Sequence, residues 1–280
     1  MFRYIHLRLL SIPQFLSIVL TLGVLSACTS STQALPTQIL PAQISATEDL
    51  SIQTLPAQNS QAIGTSWLSV SDRYIKDSSG KNVILRGVSL VDVAVTNSRT
   101  RNANALIDMA TDHTNGWYAR VVRLPVYPGA IDGQPGWVAD PDAYFTQHLD
   151  PAVQYCISRQ IYCIIDWHYI KDYTSSDVDT ATRAFWNYVA PKYASSPNVI
   201  FELYNEPIYP DDWSTWKKIA QPWVDLIRAN APKNLILIGG PRWSQNVSEA
   251  AADPFSGGNL VYVAHIYPLR LVAVDADALV

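Results

Sequence analysis

The sequence has 280 residues, 48% of them hydrophobic, and a formal net charge of -4. That length and composition suit one sizeable core in a globular domain. The acidic balance, a pI near 5.7 and the lack of any basic cluster exclude a nucleic-acid partner, while 9 Trp and 15 Tyr suit stacking on uncharged ligands such as sugars. In chain order, Arg3 and Arg8 precede an apolar run at 15–24, the pattern of an export signal over residues 1–27. Residues 28–63 are rich in Ser, Thr, Gln, Ala and Pro and carry only Glu48 and Asp49 as charges. Leu-Pro-Thr/Ala-Gln recurs there at Leu35, Leu40 and Leu55, as low-complexity recurrence with no unit able to bury a core. Such a coil reads as a tether spanning on the order of 35 Å.

From residue 64 to residue 280 the pattern becomes regular. Strands are expected at 68–70 and 74–76, with a turn at Asp77-Ser78-Ser79-Gly80 and a third strand at 83–85, a hairpin leading into a buried strand that ends near Gly87-Val88-Ser89. Continuous β-rich runs follow at 121–124, 162–165, 199–201, 235–238 and 260–263, as expected of strands covered on both faces. Segments 103–110, 144–158, 181–193 and 213–229 carry apolar residues at helical spacing. The alternation predicts an α/β fold with a parallel sheet. About six βα units, spaced by roughly 25 to 40 residues, suit a barrel better than a three-layer sandwich.

One stretch organises the rest. Residues 198–204 form an apolar strand that runs into Asn205, Glu206 and Pro207, so a carboxylate is delivered to the strand's C-terminal end. By itself this would read as a solvated Asn-Glu-Pro turn. Arg123 lies on its strand, however, and Trp167-His168, Trp243 and His265-Ile266-Tyr267 each follow one, which gathers the polar residues on a single rim. Glu202 points to the same side as Glu206 and needs a cationic or hydrogen-bonding partner. Cys156 and Cys163 read equally well as a disulfide of an export compartment or as two buried free thiols.

Two resemblances give these patterns a chemistry. Leu25-Ser26-Ala27-Cys28 resembles the lipobox of bacterial lipoproteins, which implies cleavage before Cys28 and acylation of its thiol and amine. Each buried methylene would add about 0.8 kcal/mol of membrane affinity, giving an exported, membrane-anchored lipoprotein in the periplasm or at the cell surface. An uncleaved membrane anchor and an ordinary signal peptide are the alternative readings. Within the folded region, Leu85-Arg86-Gly87-Val88-Ser89, Arg123 in Val-Arg-Leu-Pro, Asp166-Trp167-His168, Asn205-Glu206-Pro207, Trp243-Ser244-Gln245 and His265-Ile266-Tyr267 resemble, in order, the signature positions of glycoside hydrolase family 5. The match covers roughly residues 66 to 268 and implies a (β/α)8 TIM barrel, a retaining β-glycanase of endo-β-1,4-glucanase type, a β-glucan or related polysaccharide as partner, and no cofactor or metal.

The resemblance assigns roles residue by residue. It makes Glu206 the acid/base, held partly protonated, and has Asn205 bind the sugar 2-hydroxyl. Arg123 would fix and ionise the nucleophile; a core arginine paired to Glu202, or an ion pair between Arg123 and Glu206, is the plainer reading. His168 and His265 would contact sugar hydroxyls and the nucleophile's surroundings, and Tyr267 would hydrogen-bond the nucleophile. Trp243, with Trp137, Trp167 and Trp213, would offer stacking platforms, whereas Trp186, Trp216 and Trp223 on helices read as core.

The sequence departs from the family in one respect. The family's nucleophile is a glutamate ending the seventh strand, with a tryptophan on the eighth, and after Glu206 the remaining glutamate here is Glu249. Asp275 and Asp277 have no strand to position them. The expectation is an incomplete barrel of about six βα units with open edges, prone to aggregate or dependent on another polypeptide, and without hydrolysis of its own. The contrasting expectation is a non-catalytic, glycan-binding lipoprotein or a nonfunctional remnant. Oligomeric state is left open.

Overall fold

The computed structural model describes residues 65–115 and 117–267, all of them within the unit Gln58–Val280. The signal at 1–27, Cys28, the linker to residue 63, Asp275 and Asp277 lie outside the described residues.

An antiparallel pair, β1 (Ser69–Ser71) and β2 (Tyr74–Lys76), opens the domain. Six strands follow in one parallel sheet: β3 (Gly87–Ser89), β4 (Val121–Val126), β5 (Tyr162–Trp167), β7 (Val199–Glu202), β9 (Ile236–Ile238) and β10 (Leu260–Tyr262). Their spatial order is their sequence order. A doubly wound sheet reverses order at a switch point, whereas a barrel wall does not. The strands expected at 121–124, 162–165, 199–201, 235–238 and 260–263 are therefore met, whereas the strand expected to be buried near Gly87-Val88-Ser89 is a short, largely exposed edge; β3 and β10 are the edges of the described sheet.

The helices are α1 (Val93–Asn97), α2 (Ala103–Thr111), α3 (Pro141–Tyr144), α4 (Asp150–Ser158), α5 (Ser176–Val189) and α6 (Trp213–Asn230). Five of the six starts are capped: Asp92, Asn102, Asp140, Ser175 and Asp212 each accept a first-turn backbone N–H. Sequence spacing made 144–158 one helix, but a wide π turn at Phe145–Leu149 interrupts it. Pro151 has no N–H to give to the preceding turn, and the widened turn accommodates that loss. The short helix α1 has no periodicity long enough to be seen in sequence.

The two faces of the sheet are packed differently. Against the helices lie Val122, Leu124, Val126, Cys163, Ile165, Trp167, Phe201, Ile236 and Ile238, all buried. Trp167 stacks on Phe185 of α5 at 4.1 Å, and the indole N–H groups of Trp167, Trp186 and Trp216 donate to Thr182 Oγ1, Leu203 O and Gly239 O at 2.9–3.1 Å. An indole can be buried completely only when its N–H finds such an acceptor. Trp186, Trp216 and Trp223 are core, as expected. The expectation that Trp137, Trp167 and Trp213 stand on the rim is corrected: each is at most 2% exposed. Trp137 is enclosed by Tyr144, Phe185 and Tyr188, and Trp213 donates to Asp253 O at 2.8 Å beside Phe255.

On the opposite face, Leu68, Val121, Tyr162, Ile200 and Leu235 form a smaller cluster at the N-terminal ends of the strands, with Val70, Ile75, Val83 and Leu85 half-buried against it. The hairpin thus covers the lower end of that face. Tyr162 OH ties it down, donating to Ser66 O at 2.9 Å and accepting from Ser66 N–H at 3.1 Å. Residues 83–85 are not the expected third strand, since Asn82 makes an isolated bridge to Lys76 and Ile84 is 78% exposed. Cys156 and Cys163 are buried free thiols; a hydrogen bond with Cys156, and burial, push the Cys163 thiol well up. Among the described residues no helix is long and apolar enough to cross a membrane.

Candidate active site

Register decides which side chains share the hairpin-side face. Arg123 pairs with Ile164, Ile164 with Ile200, and Asp166 with Glu202. Alternate residues of a strand share a face, so Arg123, Asp166 and Glu202 rise together above the apolar cluster. Arg123 holds Glu202 bidentately, Nε to Oε2 at 2.6 Å and Nη2 to Oε1 at 2.9 Å. Its Nη2 also lies 2.9 Å from Asp166 Oδ2 and donates to Asn205 Oδ1 at 2.7 Å. The plain reading of Arg123 as the partner of Glu202 holds, with Asp166 and Asn205 added. An ion pair between Arg123 and Glu206 is not among its contacts.

Above the strand ends, β6 (Ile170–Lys171) pairs in parallel with β8 (Glu206–Pro207). Glu206 is therefore no solvated turn residue: its N–H donates to Tyr169 O at 2.9 Å, and it is 6% exposed. His265 Nδ1 donates to Glu206 Oε1 at 2.8 Å and Tyr267 OH donates to the same oxygen at 2.5 Å. Glu206 Oε2 has no hydrogen-bond partner among the described residues. His265 Nε2 lies 3.7 Å from Glu202 Oε1, so one imidazole bridges two carboxylates. His168 Nδ1 pairs with Asp166 Oδ2 and its ring stacks on Tyr127 at 4.2 Å. A carboxylate on Nδ1 fixes the tautomer and leaves Nε2 for a ligand.

The charge states follow from these contacts. Burial lowers the affinity of His265 for its proton, but its charge pairing with Glu202 and its hydrogen bond to Glu206 overcome that and raise its pKa to about 9, making it an imidazolium at neutral pH. Burial alone would raise Glu206 and Glu202. The His265 cation, with Tyr267 for Glu206 and Arg123 for Glu202, instead holds both below the usual glutamate range. Asp166 moves the other way, raised by complete burial and by the charge of Glu202 against the pull of Arg123 and His168. The expected partly protonated Glu206 is thus corrected: the described residues supply it with donors and no neighbouring free anion, so it is a carboxylate.

A cavity of about 420 Å³ opens over this cluster, lined by Arg123, His168, Ile170, Asn205, Glu206, Ala264, His265, Ile266 and Tyr267. Six of the seven rim residues expected from sequence are brought together there. The seventh, Trp243, is half-buried and meets Tyr209 edge-on at 5.8 Å outside that lining. Sequence reading gave no role to Asp166 and passed over Tyr127. The signal for Asp166 was its place two residues before His168 on the same strand face. Among the described residues no group of His, Cys, Asp and Glu could hold a metal ion. A larger open groove of about 670 Å³ along α2 gathers exposed charged residues around an Arg159–Asp108 ion pair, away from this cluster.

Comparison with known proteins places the stretch that carries these residues in one family. The family model described as Cellulase (glycosyl hydrolase family 5) matches residues 76–273. Endoglucanase N of Pectobacterium atrosepticum is 31% identical over 204 residues, covering 71% of this chain and 43% of the relative. Endoglucanase Z of Dickeya dadantii (strain 3937) is 34% identical over 151 residues, 54% of this chain and 34% of the relative. The crystal structure of the β-glucanase SdGluc5_26A from Saccharophagus degradans in complex with cellotetraose superposes with a TM-score of 0.64 at 28% identity, covering 75% of this chain and 64% of that one. The chain spans less than half the length of these curated relatives.

Proposed function

Since the chain belongs to glycosyl hydrolase family 5, we propose that its cleft binds β-1,4-glucan and supplies the acid/base half of a retaining hydrolysis. The observation that carries this reading is that Arg123, His168, Asn205, Glu206, His265 and Tyr267 line one cavity at the C-terminal ends of parallel strands. The endoglucanase relatives, and the cellotetraose complex of the S. degradans β-glucanase, support a glucan over other polysaccharides. Arg123 takes Asn205 Oδ1, and the amide N–H₂, which donates one hydrogen to Tyr169 O at 3.5 Å, keeps a second for a sugar hydroxyl. His168 Nε2 offers a second contact, and Glu206 Oε2 is the atom that would exchange a proton with the glycosidic oxygen.

Double displacement needs a second carboxyl group about 5–5.5 Å from the first. The carboxylates beside Glu206 among the described residues are Glu202 and Asp166; Arg123 engages both, and neither lines the cavity. Glu249 sits in a 3-10 turn at Ser248–Ala251, outside that lining. We therefore read the cleft formed by the described residues as binding glucan without itself supplying the nucleophile that cleavage needs. A second carboxylate brought near Glu206 would raise its pKa by like-charge repulsion and turn it into the proton donor that the reaction requires. Attachment to a membrane through lipidated Cys28 of an exported lipoprotein completes the reading. Its support is the Leu25-Ser26-Ala27-Cys28 sequence, and incorporation of labelled fatty acid that is lost in Cys28→Ser checks it.

Calorimetric titration with cellotetraose, beside an aryl β-cellobioside assay, tests the function. Saturable binding with no turnover is expected. A folded chain that binds no cello-oligosaccharide would remove the glucan reading. Turnover abolished by Glu206→Gln would instead show that the chain hydrolyses unaided.

A further inference from the structure

After β9 the backbone enters a conformation that L-residues avoid. Arg242 (φ 59°, ψ 54°), Trp243 (φ 57°, ψ 46°) and Ser244 (φ 55°) are three consecutive left-handed residues, none of them glycine. Each costs about 1–2 kcal/mol relative to right-handed backbone. Such a turn persists only where the surrounding contacts over-determine it, and strain of this kind collects at functional sites. Arg242 N–H donates to Ile208 O at 3.0 Å, Ser244 N–H to Gly240 O at 3.0 Å and Asn246 N–H to Pro241 O at 3.1 Å. The chain also approaches itself closely: a Cβ on Gly239 would stand 2.1 Å from Ser244 Oγ, and one on Gly240 1.8 Å from Asn246 O.

The strained turn carries Ser244 into a fully buried position between two strand ends. Its Oγ donates to Asn205 O at 2.7 Å, and its own carbonyl accepts from His265 N–H at 2.8 Å. Asn205 precedes Glu206 in the chain, and His265 is the residue whose ring pairs with Glu206. One side chain and one carbonyl of a single residue therefore hold both halves of that pair.

We propose that Ser244 is a positioning residue, set by the left-handed turn, that fixes the distance between Glu206 and the His265 ring. Its functional consequence rests on the acid/base reading of Glu206 given above, but the geometric claim does not. His265 is faced by Glu206 of β8 and Glu202 of β7, and Tyr267 of its own segment donates to the same Glu206 oxygen; Arg123 of β4 sits against Glu202, with Asp166 and His168 of the β5 end beyond it. If Oγ is removed, Asn205 O loses its donor, Glu206 is held from the β5 and β6 side alone, and its distance to His265 relaxes.

The test is an NMR titration of the His265 ring in the full chain, in Ser244→Ala and in Ser244→Gly, with thermal unfolding measured alongside. Glycine adopts the left-handed region without strain, so Ser244→Gly retains the turn even if the alanine variant does not fold. Wild type is expected to titrate near pH 9, and both variants about one unit lower or more, a tenfold loss of proton affinity. Val224→Ala in α6, which destabilises the helix packing remote from the cleft, is expected to lower the melting temperature and leave the His265 midpoint in place. An unchanged midpoint in folded Ser244→Gly overturns the proposal. Cellotetraose titration of the wild type runs in parallel: no binding there defeats the glucan reading while the His265 midpoint still decides the role of Ser244.

Discussion

The two faces of one sheet do opposite work here. On the helix side, Val122, Leu124, Cys163, Ile165, Trp167 and Phe201 are uniformly apolar and fully buried. On the hairpin side, the alternate residues of the same strands run from apolar at the N-terminal ends, Val121, Tyr162 and Ile200, to charged at the C-terminal ends, Arg123, Asp166 and Glu202. The difference teaches that period-two alternation divides each strand between stability and chemistry. Position along the strand then decides how much of the second face is spent on each. Burying three carboxylates is tolerable because Arg123 and the His265 imidazolium are interleaved with them, one cation touching Asp166 and Glu202 and the other Glu202 and Glu206.

If the division is right, damage to the helix side should change stability and leave the cleft's titration alone. Trp186→Ala is the strongest such test: a fully buried indole is lost together with its bond to Leu203 O, so about 3–5 kcal/mol should disappear from chemical denaturation. The His265 midpoint should not move.

The hairpin side should instead show itself in pH dependence. His265 is raised from 6.5 to about 9 on folding, so its stabilisation is complete below pH 6.5 and is lost as pH rises through 9. Glu202 and Glu206 are lowered from 4.5, so theirs is complete above pH 4.5 and is lost on acidification. The raised Asp166 works against the carboxylates at low pH, because protonating it favours the folded state. Unfolding free energy should therefore be greatest between about pH 4.5 and 6.5 and fall by at most about 3 kcal/mol on the alkaline side. The alkaline slope should vanish in His265→Gln; its survival there would assign it to another group.

The smallest effect is expected in the apolar lower part of that same face. Leu68→Ala, beneath the hairpin, should cost about 2 kcal/mol, the low end for a buried leucine, because its partners Val70, Ile75, Val83 and Leu85 are themselves only half-buried. A loss as large as that of Trp186→Ala would mean that the two faces bear stability equally.

Much of this arrangement was legible in residue order. Strand-length apolar runs located five of the six parallel strands, and polar residues at or just past their ends located the cleft. Glu202 could be aimed inward by counting two strand periods back from Glu206. What escaped was whatever depends on a neighbour distant in sequence. Trp137, Trp167 and Trp213 sit at loop-like positions yet are buried, because Phe185 of α5 and Phe255 fold over them. The ionisation of Glu206 could not be read from its own strand, since both of its donors lie about 60 residues away.

Sequence by itself determined the order of strands and helices, the face on which each strand residue lies and the inventory of groups at the rim, because those follow from local periodicity and composition. Only the tertiary structure decided that His265 is a cation, that Arg123 is shared by Glu202, Asp166 and Asn205, and that Ser244 reaches both Asn205 and His265 through a left-handed turn. The physical reason is that charge state and strain are set by distances of a few ångströms between residues far apart in the chain, and those distances exist only once the strands are packed side by side.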